Sequence, residues 1–413
     1  MTVVARTRSC EFRRGWRVLL AAAFGAGTGA VPLAFYSFSS LVDPLTRGFG
    51  WTRGQVTAAP LFLTLGGLVA GVLAGALADR YGARRIVLAS QLALGLAFAA
   101  MALLPRSLPL FYAGYALIAL LGAGTMTMTW ARTITGWFVT ARGLALCVSL
   151  VGTGLIGALM PGFVTILTAY HGWRAAYLGL AALPLLLGLP LTLAFFRDAP
   201  DDIANPEHAA EAVFDNDFTF AQATRTLCFW QMAFAFSVVA LAIASLIVHC
   251  VPLLTDRGID KTTAAGLAGL FGLAVTAGRL ISGLSLDLVR GPVVAFIMFA
   301  LPALACVLLA VSGRDLWLCG LAIVIVGLAG GAEHDIAAYV CARYFGRRHY
   351  GKIYGLLYSL YGVGSGIGPL LAGNVVDGTG SYGKALYAGS GLFALAAIII
   401  VTLKPPALRI ASS

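Results

Sequence analysis

The chain has 413 residues, of which 60% are hydrophobic and only 11% are charged. Soluble globular proteins have roughly 25% charged residues, so the composition excludes an ordinary soluble enzyme and indicates that a lipid bilayer surrounds most of the chain. The net charge of +11 would also suit a nucleic-acid partner. The basic loops of a membrane protein explain that charge without a nucleic-acid partner. We therefore expect no nucleic-acid binding.

Apolar runs long enough to cross a bilayer, which takes roughly 20 residues, recur along the whole chain. The first group lies near residues 16–40, 55–78, 86–104, 108–138, 143–168 and 173–196. The second group lies near residues 228–254, 262–286, 292–312, 315–342, 353–374 and 384–403. The pattern predicts an all-α membrane protein with twelve transmembrane helices. Its predicted parts are an N-terminal half at 1–196, a cytoplasmic linker at 197–226 and a C-terminal half at 227–413.

Basic residues are distributed unevenly between the predicted loops. Of the 28 Lys and Arg residues, 18 fall on the side that carries both termini and eight on the other, while Arg132 and Arg279 fall inside helices. The side richer in Lys and Arg is cytoplasmic in membrane proteins. We therefore predict a multi-pass protein of the cell (inner) membrane with both termini in the cytoplasm, and we expect it to be a monomer.

The seven cysteines lie mostly within the apolar runs and lack paired spacing. Such a pattern predicts neither a disulfide framework nor a metal site. No GxxxxGK[ST] phosphate loop follows a strand, so ATP hydrolysis is not indicated. We expect no metal and no other cofactor.

The two halves repeat one another. The segment GALADRYGARR, residues 75–85, returns in degraded form as GLSLDLVRG, residues 283–291, and Gly50 returns as Gly258, in both cases 208 residues later. Because each half has an even number of spans, the halves insert in the same orientation. Such a parallel repeat places a substrate site between the halves near the middle of the membrane and permits alternating access by rocking.

The loop after the second span matches the signature GxLxDRxGxRR. The matching residues are Gly75, Leu77, Asp79, Arg80, Gly82, Arg84 and Arg85. With the twelve spans, this resembles the major facilitator superfamily over nearly the whole chain. Within that superfamily the chain resembles the branch of monocarboxylate porters and oxalate/formate antiporters. The segments that carry this resemblance are WFVTARGLALCVSLVGTGLIG (137–157), AGRLISG (277–283), and RYFGRRHYGKIYG with GVGSGIGP (343–369).

The resemblance implies a secondary active transporter of a small organic anion, with a substrate-facing arginine at Arg279. The chain departs from the residue pattern of this branch at two positions. Val275 stands where eukaryotic members usually carry an aspartate, and the eleventh span offers Tyr358 and Tyr361 where the oxalate exchanger has a lysine. A single buried arginine favours a substrate with one carboxylate, and we expect a proton as the coupling ion.

The loop signature also predicts a conformational gate. The Asp79 carboxylate, at the end of the second span, can pair with basic groups or helix N-terminal amides in one of two states, which biases a rocking equilibrium. An ordinary charged turn explains Arg84 and Arg85, but not the repeated Gly and Asp. The predicted gate residues are Gly75, Asp79, Arg80, Gly82, Arg84, Arg85, Arg142, Gly283 and Asp287.

Arg279 is the strongest candidate for binding substrate. A guanidinium inside a span costs roughly 2.5 to 3.5 kcal/mol on insertion scales, so it should face a cavity or a partner. Its planar fork suits a carboxylate held by two hydrogen bonds. The alternative is a structural ion pair with Asp287 or Glu333, which does not exclude substrate binding.

Glu333 and Asp335 are the candidates for proton coupling, and with His334 they interrupt the tenth span. Two residues apart on a helix, at 100° per residue, they point to different sides. A carboxyl group in a low-dielectric span holds a proton readily, which is the property a proton carrier needs. A purely structural network is the alternative.

Further polar side chains in the spans are candidate substrate contacts. The tyrosines can supply hydroxyl donors and apolar walls, although aromatic residues also anchor membrane interfaces. His249 could contact substrate or titrate near neutral pH, although a packed polar role suits it as well. These candidates are Tyr36, Tyr115, Tyr358, Tyr361 and His249.

These features together favour a secondary active carrier of a small monocarboxylate with a proton. An organic-anion exchanger and a drug or metabolite exporter are the alternatives within transport. A membrane sensor that binds without transporting is a third possibility, and it predicts an added signalling domain. An enzyme is not indicated, because no convergent nucleophile, base or metal set is present.

Overall fold

The computed structural model describes residues 3–138, 142–198, 218–289, 291–346 and 349–403. A few side chains inside the helices lie outside this description. Several residues named in the sequence analysis are among them. They are Gly75 and the side chains of Asp79, Arg132, Arg142 and Asp287. Most of the predicted linker, residues 199–217, also lies outside it.

Helices make up the regular structure of the described residues. They are α1 Val3–Gly27, α2 Ala30–Tyr36, α3 Phe38–Phe49, α4 Arg53–Thr57, α5 Ala59–Tyr81, α6 Ala83–Met101, α7 Leu108–Leu121, α8 Thr127–Trp137, α9 Arg142–Ala182, α10 Leu189–Phe195, α11 Phe220–Thr224, α12 Leu227–Asp256, α13 Lys261–Leu288, α14 Gly291–Val311, α15 Leu316–Phe345, α16 Tyr350–Thr379 and α17 Gly383–Thr402. A 3₁₀ turn, Ala123–Thr125, joins α7 to α8, and a π-helical stretch, Leu183–Gly188, joins α9 to α10.

The helices account for the twelve predicted spans. Among the described residues, nine helices are long and apolar enough to cross a membrane, or ten when the bent pair α1 and α2 is one span. One of the nine is 52 residues long and bends at Gly172, so it crosses twice. The shorter α7 and the following α8 supply the remaining span.

Turn glycines confirm the repeat in three dimensions. Gly50 and Gly258, with φ of 70° and 82°, occupy equivalent turns, and so do Gly172 and Gly380, with φ of 80° and 70°. A positive φ is strained for residues with a Cβ, so each turn requires glycine. Both pairs are separated by the same 208 residues that the sequence motifs predict.

Two prolines inside helices repeat at that spacing as well. The carbonyl of Pro161, in α9, accepts a hydrogen bond of 2.9 Å from the Ser40 hydroxyl. The carbonyl of Pro369, in α16, is 2.9 Å from Nε2 of His249. Each contact joins the first span of a half to the fifth span of that half, so the same polar clamp is built twice with different donors.

Each half has its own apolar core, and the halves meet mainly along two helix pairs, with further contacts of α3 on α12 and of α4 on α16. Helix α9 packs on α13, and α5 packs on α16. Glycines allow this close approach because they carry no side chain. Gly366 faces Leu61, and a Cβ at Gly362 would lie 3.2 Å from the Thr64 side chain. These contacts hold the central part of the bundle together.

The bundle is closed at one end and open at the other. We call the end that carries Gly50, Gly172, Gly258 and Gly380 the far end, and the end that carries Arg197 and Phe218 the linker end. Toward the linker end, the faces of the two interhalf pairs separate. Tyr358, one turn before Gly362, is 45% exposed, and Leu284, two turns after Thr276, is 68% exposed. The gap between the halves therefore opens toward the linker end.

Substitution of Gly154 tests the interhalf packing. A Cβ at Gly154 would collide with Thr276 Oγ1 and lie 2.8 Å from the Gly272 carbonyl oxygen of α13. Gly154→Ala is therefore expected to destabilise the protein by roughly 1 to 3 kcal/mol, as overpacking does, and to lower the Tm measured by tryptophan fluorescence in detergent. Gly162→Ala, in the same helix with no atom within 4 Å of its Cβ position, is the control. Equal Tm values for the two variants would contradict the packing described here.

Candidate functional site

Arg279 lies where α13 and α15 approach most closely. The backbones meet because glycines occupy the contact: a Cβ at Gly331 would lie 2.9 Å from the Arg279 backbone nitrogen, and Gly278 faces the Leu328 carbonyl. This close approach brings the Arg279 side chain near Glu333, Asp335 and His334, so that its positive charge interacts electrostatically with all three side chains. The local glycines therefore place the charged groups of two helices together.

Among the described residues, no carboxylate lies within 4.0 Å of the Arg279 guanidinium. Its Nε atom is buried without a hydrogen-bond partner. Buried polar groups normally have partners, so this Nε–H is a donor available to an anion. A close Arg279–Glu333 ion pair is thus absent from this conformation, and the Asp287 side chain lies outside the described part.

Glu333 is 3% exposed, and only one of its two oxygens is bonded. The Tyr361 hydroxyl, on α16, donates to Oε1. Oε2 is buried with no hydrogen-bond partner among the described residues. The neighbouring His334 places Nδ1 3.7 Å from Oε1. Oε2 is therefore the atom of this carboxyl group at which a proton can be held without breaking a bond.

Asp335 points elsewhere, as helical spacing predicts. The Ser282 hydroxyl of α13 lies 3.2 Å from its Oδ2, whereas Glu333 contacts α16. The two carboxyl groups thus face different neighbouring helices, and only Glu333 contacts the Tyr361 hydroxyl.

Tyr36 is the first-half residue at this centre. It ends α2, its ring lies 6.2 Å from the Phe271 ring of α13, and it lies within electrostatic range of Arg279. A Cβ at Gly157 would lie 3.0 Å from the Tyr36 ring. Toward the far end, Tyr36 also lines an apolar cavity between the halves with Pro161 and Cys250. Tyr358 joins this centre because its ring lies 5.5 Å from the ring of His334, the neighbour of Glu333. Arg279, Glu333, Tyr36, Tyr358 and Tyr361 therefore form the central site, to which both halves contribute.

The structure does not bring Tyr115 to this site. Tyr115 is 1% exposed in the first-half core, and its hydroxyl is 3.0 Å from the Tyr177 hydroxyl. Phe38 and Phe111 pack edge-on against its ring. Hydropathy places Tyr115 in a span but does not tell which face of the helix it occupies.

His249 also lies apart from the central site, 2% exposed near the far end. A carbonyl only accepts hydrogen bonds, so Nε2 donates to Pro369, and Nδ1, 2.9 Å from the Tyr382 hydroxyl, accepts from it. The ring joins α12, α16 and the start of α17. His249 therefore has a packing role in this structure. This is the alternative to substrate contact that its sequence position also suits.

The described part of the predicted gate forms contacts within the first half. Gly82, with φ of 85°, turns the chain between α5 and α6, and the Asp198 carboxylate accepts from the Arg84 backbone N–H at 3.1 Å. The Arg84 side chain donates to the Leu193 carbonyl at 2.9 Å. Arg80 lies over the Tyr81 ring. Two other gate residues stay open: Arg85 is exposed, and a Cβ at Gly283 would meet no atom within 4 Å.

At the far end, a polar network joins the halves, and sequence reasoning missed it. Arg53, at the start of α4, donates hydrogen bonds from both Nη atoms to the Asp256 carboxylate of the second half, and the bond from Nη2 is 2.7 Å long. Its Nη2 also lies 3.4 Å from the Asp43 carboxylate. Asp377 accepts from the backbone N–H groups of Arg53 and Gly54 at 3.1 and 2.7 Å. We call Asp43, Arg53, Asp256 and Asp377 the far-end latch.

The latch contacts lie 203 and 324 residues apart in the chain, and no spacing pattern marks them. A clue was available in the sequence, since Arg53 is the first residue after Thr52, the N-cap of α4. An arginine at a helix start is unfavourable beside the helix dipole, and carboxylates there are favourable. The latch supplies these carboxylates from the other half.

Removing Arg53 should loosen the far end. A bidentate, partly buried pair within a network is worth more than an isolated surface pair of about 0 to 1 kcal/mol, so Arg53→Gln should raise far-end opening roughly 3- to 10-fold. Cys250 lines the cavity beneath the latch. We therefore expect faster labelling of Cys250 by a membrane-impermeant maleimide, in a variant without the other cysteines.

Arg47→Gln provides the matched control, because Arg47 is 68% exposed and its ion pair within the described ranges is with Asp43 of its own helix, at 3.7 Å. It removes the same charge from the same surface without breaking an interhalf bond. If Arg47→Gln and Arg53→Gln accelerate Cys250 labelling equally, general surface charge controls the far end and the latch does not.

Comparison with known proteins agrees with this architecture. The sequence profile of the Major Facilitator Superfamily matches residues 23–333 and again residues 232–412. The chain belongs to the major facilitator superfamily. It is thus a membrane transporter and not an enzyme, and the overlapping match of the second half reflects its internal repeat.

Relatives within the superfamily are distant but span most of the chain. Monocarboxylate transporter 13 of Rattus norvegicus is 28% identical, over 94% of this chain and 90% of its own. The 3-(3-hydroxy-phenyl)propionate transporter of Escherichia coli is 24% identical, over 92% and 89%. The crystal structure of a D-xylose-proton symporter, 14% identical, superposes with a TM-score of 0.71 over 94% of this chain and 98% of that one. The last comparison shows the shared fold alone.

Proposed function

We propose that this major facilitator protein transports a small organic anion with a single carboxylate, coupled to a proton, by alternating access. The observation that carries the proposal is the Arg279 guanidinium in the central site, whose buried Nε has no hydrogen-bond partner in the described part of the chain. A carboxylate can take two parallel hydrogen bonds from such a fork. The single positive charge of Arg279 balances one carboxylate.

The relatives support the carboxylate class. Monocarboxylate transporter 13 and the 3-(3-hydroxy-phenyl)propionate transporter are both named for anions with one carboxylate. The carboxylate class therefore rests on Arg279 together with the names of these relatives.

Glu333 is our candidate for the proton carrier. Its Oε1 accepts from Tyr361, and its Oε2 has no hydrogen-bond partner among the residues that the structure describes. When the carboxylate of a substrate arrives at Arg279, a second negative charge nearby is unfavourable. A proton on Glu333 removes that charge, so anion and proton enter the site together. Asp335, bonded to Ser282, is the second candidate.

The conformation in the structure represents one end of the transport cycle. We infer that the linker end is cytoplasmic, because the basic residues concentrate there. The open gap then faces the cytoplasm, and the far-end latch closes the external side. Breaking the latch and closing the linker end would expose Arg279 to the outside, which is the rocking motion of a parallel repeat.

Counterflow in proteoliposomes tests the proposal. Proteoliposomes that contain the purified protein are loaded with an unlabelled monocarboxylate such as pyruvate, lactate or 3-phenylpropionate. They should then take up the labelled form of the same anion transiently and saturably. An imposed inward proton gradient should drive net uptake. Exchange that requires an internal anion and ignores the proton gradient would identify an anion exchanger, and thermal stabilisation by acids without any flux would identify a sensor.

A further inference from the structure

Four tyrosines form a continuous row of rings along α16. Their spacing of four, four and three residues places them on one face of the helix. The row consists of Tyr350, Tyr354, Tyr358 and Tyr361, with successive ring centroids 5.3, 6.2 and 5.9 Å apart. These separations fall in the range of about 4.5 to 7 Å that aromatic pairs prefer. We call this row the tyrosine ladder.

The inner end of the tyrosine ladder is part of the central site. The Tyr361 hydroxyl donates to Glu333. The His334 ring lies 4.6 Å from the Tyr361 ring and 5.5 Å from the Tyr358 ring, and Gly331, three residues before His334 on α15, packs on the Arg279 backbone. A molecule whose carboxylate binds Arg279 therefore has the Tyr358 ring within reach of the rest of its body.

Tyr358 faces the gap between the halves. It lies one helical turn before Gly362, which packs on Thr64 of the first half, so both residues share the face directed at that half. At Tyr358 that face has lost its packing partner, and the side chain is 45% exposed. Its contacts with Tyr361 and His334 place it at the centre of the bundle and not among the interface aromatics.

Packing alone does not account for a tyrosine at this position. The Tyr358 hydroxyl makes no hydrogen bond within the described residues, and none of the hydrogen bonds of the central site involves it. An aliphatic wall would enclose an aliphatic cargo without carrying an unpartnered hydroxyl. Tyrosine adds a flat π face together with a polar group, which suits a flat and partly polar ligand.

We propose that the transported anion is an arylalkyl carboxylate, whose aromatic ring stacks on Tyr358 of the tyrosine ladder while its carboxylate binds Arg279. This inference rests on the proposed carboxylate transport and names its substrate class. The ladder continues from Tyr358 through Tyr354 to Tyr350, at the linker end.

Two acids of nearly equal size and charge test the proposal. 3-Phenylpropionate and 3-cyclohexylpropionate differ in the aromatic character of the ring. In proteoliposome counterflow, the KM for 3-phenylpropionate should be about tenfold lower, the upper range of what an aromatic pair contributes beyond burial. Tyr358→Leu should remove this preference, and Tyr358→Phe should keep it. Tyr170→Leu, a change at an exposed far-end tyrosine, should leave it unaltered.

The two levels of the proposal fail differently. Equal KM values for the two acids in the unsubstituted protein would overturn the aromatic class while leaving carboxylate transport intact, and that comparison needs no variant to fold. A preference that survives Tyr358→Leu would also overturn the stacking role. Counterflow of neither acid, with short carboxylates also inactive, would overturn the proposed function itself.

Discussion

Arg279→Gln is expected to reduce carboxylate counterflow about 10- to 150-fold in kcat/KM. Hydrogen bonds to charged groups contribute roughly 1.5 to 3 kcal/mol, and each 1.4 kcal/mol corresponds to about a tenfold change. Glutamine preserves some hydrogen-bonding ability but removes the charge. Arg279→Lys keeps the charge and loses the planar fork. Its kcat/KM should therefore lie between that of the unsubstituted protein and that of Arg279→Gln. Proteoliposome counterflow measures the effect.

A thermal-shift titration with the same acids separates binding from folding. Carboxylates should raise the Tm of the unsubstituted protein and not that of Arg279→Gln. Arg174→Lys, at an exposed site where the guanidinium lies 4.4 Å over the Trp173 ring, is the control for an arginine-to-lysine change outside the centre. Undiminished stabilisation of Arg279→Gln by carboxylates would sink the proposed anion site.

Glu333→Gln is expected to abolish proton-driven accumulation and to preserve counterflow. Glutamine keeps the shape of the side chain and can still accept the Tyr361 hydrogen bond through its carbonyl oxygen. It cannot gain or lose a proton. The site then behaves permanently as if protonated, so anion exchange continues while a pH gradient no longer drives net uptake. The readout is labelled-acid accumulation with the pH lower outside than inside.

Asp335→Asn is the comparison for this experiment, because it neutralises the other carboxyl group of α15, which bonds Ser282 on α13. We expect it to retain gradient-driven uptake. The reverse result, with accumulation lost in Asp335→Asn and kept in Glu333→Gln, would transfer the proton to Asp335. Normal accumulation in both variants would leave the two carboxyl groups as a structural network.

Much of the fold could be predicted from the sequence because its causes are local. A bilayer requires apolar segments of fixed length, and these are visible as runs of residues. Turn glycines such as Gly50 and Gly258 report their backbone conformation directly. The 208-residue spacing between them extends to Pro161 and Pro369, which the sequence comparison did not use.

The candidate site was only partly accessible to such reasoning. Arg279 could be found because charge within a span is costly, and Glu333 for the same reason. Which face of a helix a tyrosine occupies depends on neighbours far away in the chain. Tyr115 consequently packs in the first-half core, whereas Tyr358 borders the open gap. The Arg53–Asp256 contact depends on how two whole halves dock, and no local pattern encodes that.

The repeat also reveals an asymmetry between its two copies. Stepping back 208 residues from Arg279 leads to Gly71, and from Glu333 to Thr125, whose hydroxyl is occupied by Gly122 and Ala30 within its own half. The first copy thus has no charged counterpart at either position. An anion held at Arg279 would therefore be bound by the charged groups of the second half throughout the cycle, and the equivalent positions of the first half, Gly71 and Thr125, would add no charge to the site.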